Sequence, residues 1–318
     1  MIKALFIAAV LALCGAAAAQ NYPAKPIRLL TPYSPGGGAD WVARFTTDRL
    51  AQALGQPFVI EPRPGAGGNI AAETVVRAPA DGYTLLFATP LLPINAALYR
   101  KLSFDSAKDL TLVGVAGTGP YVLYVTGALP VKNAGELVAL AKAKPKEINY
   151  ASLGIGTGPH LGGVLLGLAG GAEFTHVPYK GFGQALPDLV SGQVHFSLNA
   201  IGVADAFLKT GQVKMLGFTS LERLKGYPDV PTVSESVPGY EVLGWYGFAV
   251  PAGTPRPVVE RLNAEIAKVT RSAEFAEQFQ KRALVAQSYS LDEARQFFGR
   301  EAERWARAVK ASGARIDE

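Results

Sequence analysis

The order of patterns between Ile27 and Ala88 constrains this chain more than any other feature. Ile27 to Thr31 is a short apolar run closed by Pro32 and predicts a strand. Ser34-Pro35-Gly36-Gly37-Gly38-Ala39 follows as a glycine loop. From Asp40, apolar residues at Val42, Phe45, Leu50 and Leu54 predict a helix that stops at Gly55. The unit then recurs. Phe58-Val59-Ile60 reads as a strand, Pro64-Gly65-Ala66-Gly67-Gly68 as a loop, Asn69 to Val76 as a helix, and Thr84 to Ala88 as a third strand. Strand, loop and helix repeated in this order bury their apolar faces best as a parallel sheet covered by helices, so the fold class is α/β.

The middle of the chain repeats the logic. Tyr121 to Val125 predicts a strand, and Asn133 with Glu136 three residues on predicts a capped helix start running to Ala143. Asn149 to Ser152 predicts a short strand, and the loop Leu153 to Gly158 leads into a helix with Pro159 at its first position. Gln184 to Ser191 reads as a helix stopped by Gly192; Val194 to Leu198, Val213 to Thr219 and Trp245 to Val250 read as strands. Thr254 is expected to cap a helix with Pro255 first, and Ser290 with Glu293 to cap the last one. There, Leu291, Ala294, Phe298, Trp305 and Val309 form a core stripe.

The N-terminus sets the compartment. Lys3, the apolar stretch Ala4 to Leu13 and the small residues Ala17-Ala18-Ala19 read as a secretory signal peptide over residues 1–19, cleaved after Ala19. Leu13 stands before Cys14, where a lipoprotein signal places a small residue, which argues against lipidation. Cys14 is the chain's one cysteine, so a cleaved protein has no disulfide, thiol nucleophile or cysteine metal site. The 31 basic residues are scattered rather than clustered, which speaks against nucleic acid as a partner.

Catalytic patterns are missing. Trp41 and Ile70 stand where a dinucleotide fingerprint needs its last glycine, and no Gly-Lys-Ser/Thr triplet makes a P-loop. Tyr150-Ala151-Ser152-Leu153-Gly154 lacks the first glycine of a nucleophile elbow. His160, His176 and His195 match no zinc spacing, so no metal and no cofactor is expected. His195, in an alternating run, is read as structural or surface. What remains is glycine loops that open helices. Unpaired N–H groups at a helix start carry partial positive charge, and glycine lets a ligand approach them closely. Loops 34–39, 64–69 and 153–158 therefore point to anion binding, with positive φ expected at Gly37 and Gly67.

Tyr33-Ser34-Pro35-Gly36-Gly37-Gly38-Ala39-Asp40 with Ala43-Arg44 resembles the first loop of the tripartite tricarboxylate transporter receptors, the Bug-type solute-binding proteins. The resemblance continues through Pro64 to Asn69, Asp81-Gly82-Tyr83-Thr84, Tyr150-Ala151-Ser152, His160-Leu161, His176 to Gly181, Gly192-Gln193-Val194, Asp229 to Thr232 and Pro251 to Pro255. It implies a two-lobed periplasmic-binding-protein fold, type II-like, with the ligand cleft between lobes. Lobe one would be 20–119 plus 244–318, and lobe two 120–243. It also implies a small organic carboxylate as ligand, a two-component membrane permease as partner, a periplasmic location and a monomer. The chain departs from the pattern at Val164, at Gln184-Ala185 and at Ser103 to Ser106, which leaves ligand identity open.

The candidate ligand-binding residues of lobe one are Tyr33, Ser34, Gly37, Gly38, Gly67, Gly68 and Asn69, with Thr89 after the third strand. Those of lobe two are Ser152, Gly156, Thr157, Tyr179 and Asn199. Asp40 and Arg44 are expected to organise the helix start rather than touch an anion. Lys180 is a candidate partner for a second ligand carboxylate, with a merely exposed role equally open. A transport receptor is the leading reading; a sensor that presents its carboxylate to a signalling partner is the alternative, and a secreted hydrolase is disfavoured by the missing nucleophile motifs.

Overall fold

The computed structural model describes residues 22–317, so the signal peptide expected over 1–19 lies outside the described residues. The first strand, β1 (Ile27–Thr31), pairs in parallel with β2 (Phe58–Pro62) and β3 (Thr84–Ala88). Two long strands extend this sheet: β10 (Leu243–Pro251) antiparallel beside β3, then β4 (Leu110–Pro120) antiparallel to β10, with the short β11 (Val285–Ala286) antiparallel to β4 at the edge. The second sheet has the order β7 (Thr175–Pro178), β6 (Asn149–Ser152), β8 (Phe196–Asn199), β5 (Val122–Thr126), β9 (Val213–Phe218). In it β6 runs parallel to β7 and β8, and β5 antiparallel to β8 and β9.

Helix α1 (Gly38–Leu54) buries Val42, Leu50 and Leu54 and ends at Gly55 in the left-handed conformation. Helices α2 (Asn69–Val76) and α3 (Leu91–Leu98) follow β2 and β3. In the second half α4 (Ala134–Ala143) starts on Asn133, whose Oδ1 accepts from Glu136 N at 2.9 Å. Such a cap contributes about 0.5–2 kcal/mol. Helices α5 (Gly158–Gly170), α6 (Phe182–Ser191) and the short α7 (Asp205–Lys209) complete that half. The C-terminal part supplies α8 (Arg256–Thr270), α9 (Ala273–Gln280) and α10 (Leu291–Ser312), the last opened by the expected Ser290–Glu293 capping box. Among the described residues no helix is long and apolar enough to cross a membrane.

The chain passes between the sheets at Tyr121 and again at Val242. Thr219 ties the two passages: its Oγ1 accepts from Tyr121 N at 2.8 Å and donates to Val242 O at 2.5 Å. Behind β10, buried Glu301 of α10 accepts from the indole N–H groups of Trp245 and Trp305, each at 3.0 Å. Arg304 then bridges Glu301 to Glu241. The C-terminal helix is thereby fastened to the strand that links the two halves.

Several features differ from the sequence reading. Strand β4 was not expected, because Gly114, Gly117 and Gly119 obscure its periodicity. Packing requires those glycines: a Cβ on Gly117 would lie 2.4 Å from Phe279, and one on Gly119 2.4 Å from Leu284. Thr254 does not cap α8. Its hydroxyl donates to Pro251 O at 2.7 Å, and Pro255 is the residue before the helix. In α10 it is Phe297 that is buried, with Phe298 only half-buried beside it. Helices α3, α7 and α9 and strands β7 and β11 were also unread.

Candidate ligand cleft

Because β1, β2 and β3 are parallel, the loops at their C-terminal ends share one edge of the first sheet. The loop after β1 carries Tyr33 and Ser34 and turns at Gly36, φ +94°. Gly37 is the residue before α1, with φ −88° and ψ 174°. This corrects the expected positive φ at Gly37: the left-handed turn belongs to Gly36. A Cβ added at Gly36, Gly37 or Gly38 meets nothing within 4 Å, so this backbone is open to an approaching group. Asp40 sits beneath it, buried. Its Oδ2 accepts from Gly36 N at 3.1 Å, and Arg44 pairs with it at 3.0 Å. The Arg44 hydrogen bond holds the Asp40 carboxyl below the usual carboxylate range.

The loop after β2 is curled more tightly. Gly65, Ala66, Gly67 and Gly68 all have positive φ, of 122°, 46°, 62° and 95°. Ala66 is a non-glycine residue in that region, which costs on the order of 1–3 kcal/mol. Asn95 of α3 holds the curl. Its Nδ2 donates to Gly67 O and to Asn69 Oδ1, both at 2.8 Å. Tyr33 OH donates to Thr89 Oγ1 at 3.1 Å. Gly67, Gly68, Asn69 and Thr89 thus line one recess with Pro32 and Asn95, of about 10 Å³. That is space for one water molecule rather than for a ligand.

In the second half, Ser152, Gly156 and Thr157 share the loop after β6. Thr157 precedes α5, its Oγ1 accepting from His160 N at 3.4 Å and donating to Gly154 O at 2.7 Å. Gly156, φ +79°, packs against the first half: a Cβ there would lie 2.3 Å from Leu98 Cδ2 of α3. Helix α3 therefore touches one cleft loop through Asn95 and the other through Leu98. Tyr179 sits next to Ser152, its N–H donating to Ser152 O at 3.0 Å. Its hydroxyl is committed to Asp188 Oδ2 at 2.6 Å, and burial with that contact pushes it up to about 12. Asn199 ends β8; its Oδ1 accepts from Ala200 N, while its buried Nδ2 finds no partner among the described residues. A buried donor without an acceptor is a place where a ligand oxygen repays its desolvation.

The structure thus brings Tyr33, Gly67, Gly68, Asn69 and Thr89 together, leaves Ser34, Gly37 and Gly38 exposed on the neighbouring loop, and gathers Ser152, Gly156, Thr157, Tyr179 and Asn199 at the ends of β6, β7 and β8. Lys180 is exposed. His195 is structural, its Nδ1 accepting from Asn149 N at 2.9 Å. A groove of about 590 Å³ also runs between the halves beside the crossing strands, lined by Thr118, Leu243, 220–226 and 283–287. None of the sequence-picked residues lines it. Sequence reasoning missed Asn95, Tyr121 and Tyr246. Burial and neighbouring phenols raise the Tyr121 and Tyr246 hydroxyls, the latter to about 12, so both stay neutral hydrogen-bonding groups. An unread helix hid Asn95; the tyrosines look like ordinary strand residues.

Two α/β halves joined by crossing strands, with the second half's glycine loop packed at Gly156 against α3 of the first, define a two-lobed solute-binding protein. The profile of the tripartite tricarboxylate transporter family receptors matches residues 42–314, and the chain belongs to that family of periplasmic receptors. It is 32 % identical over 301 residues to BugT of Bordetella pertussis, covering 94 % of this chain and 92 % of that protein. Among solved structures it is similar to R. palustris Rpa4515 with adipate, at 34 % identity and TM-score 0.79 over 93 % of this chain and all of that one. It is similar also to MatC from Rhodopseudomonas palustris with bound malate, at 32 % identity and TM-score 0.74 over 91 % of this chain and all of that one.

Proposed function

We propose that this receptor captures a small organic carboxylate between its lobes and hands it to a two-component membrane permease. The observation that carries the reading is the pair of glycine loops at the ends of β1 and β2: one backbone open to approach, the other curled and pinned by Asn95. Adipate and malate in the two similar structures support a carboxylate as the ligand class. The lobes are taken as 20–119 with 244–318, and 120–243. Loop one would receive one carboxylate, with Gly67, Gly68, Asn69 and Thr89 reaching it through the one water their recess can hold. Ser152, Gly156, Thr157, Tyr179 and Asn199 would meet the rest of the ligand. Binding needs no metal or nucleotide and turns nothing over, and the mature chain, cleaved after Ala19, works as a monomer.

A thermal-shift screen of the mature chain against adipate, malate, aromatic acids and acidic amino acids tests this. A ligand at 100 times its Kd stabilises by about 2.7 kcal/mol, roughly 4 °C for a chain of this size. A folded protein whose melting temperature no organic acid raises would overturn the reading.

A further inference from the structure

The second-lobe cleft loop is held from behind by two imidazoles. His160, in the first turn of α5, is 5 % exposed, and its Nδ1 accepts from the Gly156 backbone N–H at 3.1 Å. That N–H can only donate, so Nδ1 is the unprotonated nitrogen and the ring proton sits on Nε2. His176 of β7 places Nε2 2.6 Å from Ser152 Oγ, and the same hydroxyl accepts from Gly154 N at 3.1 Å. The two rings face each other at 4.0 Å between centroids. Tyr150 OH completes the cluster by donating to the His160 carbonyl at 3.0 Å. Ser152, Gly154 and Gly156, alternate residues of one cleft loop, thus all end on one imidazole pair.

We infer that His160 and His176 are positioning residues for the loop 152–157, acting as a neutral pair that fixes Ser152 and Gly156 where the second lobe meets the ligand. The ligand clause rests on the carboxylate-receptor reading; the positioning clause does not. Among the described residues no carboxylate bonds either imidazole; Glu173, which shares their groove, pairs with Lys146 instead. From β6 the pair meets Tyr150, and from the end of α10 the surrounding groove receives Ala311 and Ser312. Lys146 and Glu173 also line that groove, 3.5 Å from each other. Burial lowers both imidazoles to about 4, and the neighbouring ring adds to this for His160. A proton on His160 Nδ1 would set a donor against the Gly156 N–H and release the loop. The groove, of about 590 Å³, lies along α5 and the C-terminal end of α10, so protons reach the pair without entering the cleft.

The test needs no ligand at its first stage. Amide hydrogen exchange is measured on the mature chain as wild type, His160→Ala, His160→Asn and His176→Phe, with circular dichroism as the check on folding. The Asn side-chain oxygen can take the place of Nδ1 but cannot gain a proton there. His160→Ala should lose tenfold or more protection at 154–158 with the rest of the chain unchanged, and His160→Asn should stay within threefold of wild type. His176→Phe keeps a ring in the stack, drops the Ser152 bond and should loosen 152–156; it carries the test if His160→Ala does not fold. Unchanged protection in His160→Ala and His176→Phe, or His160→Asn as loose as His160→Ala, would overturn the proposal. At the second stage adipate and malate are titrated from pH 7 to pH 4 into wild type and His160→Asn. The ratio of their Kd values cancels protonation of the acid itself and should rise about twofold by pH 4; a flat ratio overturns the ligand clause. Loop protection behaving as expected while neither acid binds at pH 7 would support the positioning role and count against the choice of ligand alone.

Discussion

Both lobes lock a cleft loop in the same way, with different chemistry. In the first, Gly36 N–H donates to a side chain four residues on, the carboxylate of Asp40. In the second, Gly156 N–H donates to a side chain four residues on, the imidazole of His160. The first acceptor is charged, backed by the half-exposed Arg44, and the glycines above it touch nothing. The second is neutral, backed by another imidazole, and its glycine is wedged against Leu98 of the other lobe. The same residue type thus serves access in one loop and close packing in the other. Glycine content alone does not say which.

The largest expected effect breaks the comparison at its glycines. Gly156→Val places a Cβ into Leu98 at a φ that L-residues avoid. Backbone strain and overpacking together cost roughly 2–6 kcal/mol, so the melting temperature should fall by about 3–10 °C. Gly37→Val adds bulk into open space at an ordinary φ and should leave the melting temperature within about 1–2 °C, while weakening carboxylate binding by tenfold or more. Equal thermal losses in the two variants would erase the distinction between access and packing.

Next in size is Asn95→Leu. It removes the donor shared by Gly67 O and Asn69 Oδ1 and leaves two acceptors beside the recess without it. A loss of about 1–3 kcal/mol in stability is expected, together with weaker binding, because the curl at 65–68 is no longer pinned. Calorimetric melting and an adipate titration on the same variant check this. Intact binding in a destabilised variant would confine Asn95 to the fold.

How much of this was legible in the sequence follows from the same contrast. The strand–glycine loop–helix units at 27–54 and 58–76 obey local rules, so periodicity and Gly55 as a stop were enough to place them. Strand β4 was illegible because its glycines answer to Ile266, Phe279 and Leu284, more than a hundred residues away. The imidazole pair was illegible for the same reason. His160 and His176 are 16 positions apart and meet only because β6 and β7 pair in parallel under α5. Asn95 sits in an apolar helix with no capping signal among its side chains, so neither the helix nor its task at Gly67 stood out.

The smallest effect sharpens the comparison through acid. Asp40 titrates below its ordinary value, so the native state holds its proton less tightly than the unfolded chain does. Its contribution to stability is complete above the unfolded value, near 3.9, and is lost as pH falls through the lowered native one. His160 acts over a higher window. From about pH 6.5 down to about 4 the unfolded chain takes a proton that the native imidazole refuses, so stability declines across that whole range. The second-lobe lock should therefore open first on acidification. Asp40→Asn keeps an acceptor for Gly36 N but loses the charge pair. Arg44 is half-exposed, so the loss at pH 7 should be only about 0.2–1 kcal/mol, shrinking towards zero below pH 3. Urea melts of wild type and Asp40→Asn at pH 7, 5 and 3 measure this difference. A gap that widened on acidification would mean that Asp40 is held by something other than its ion pair with Arg44.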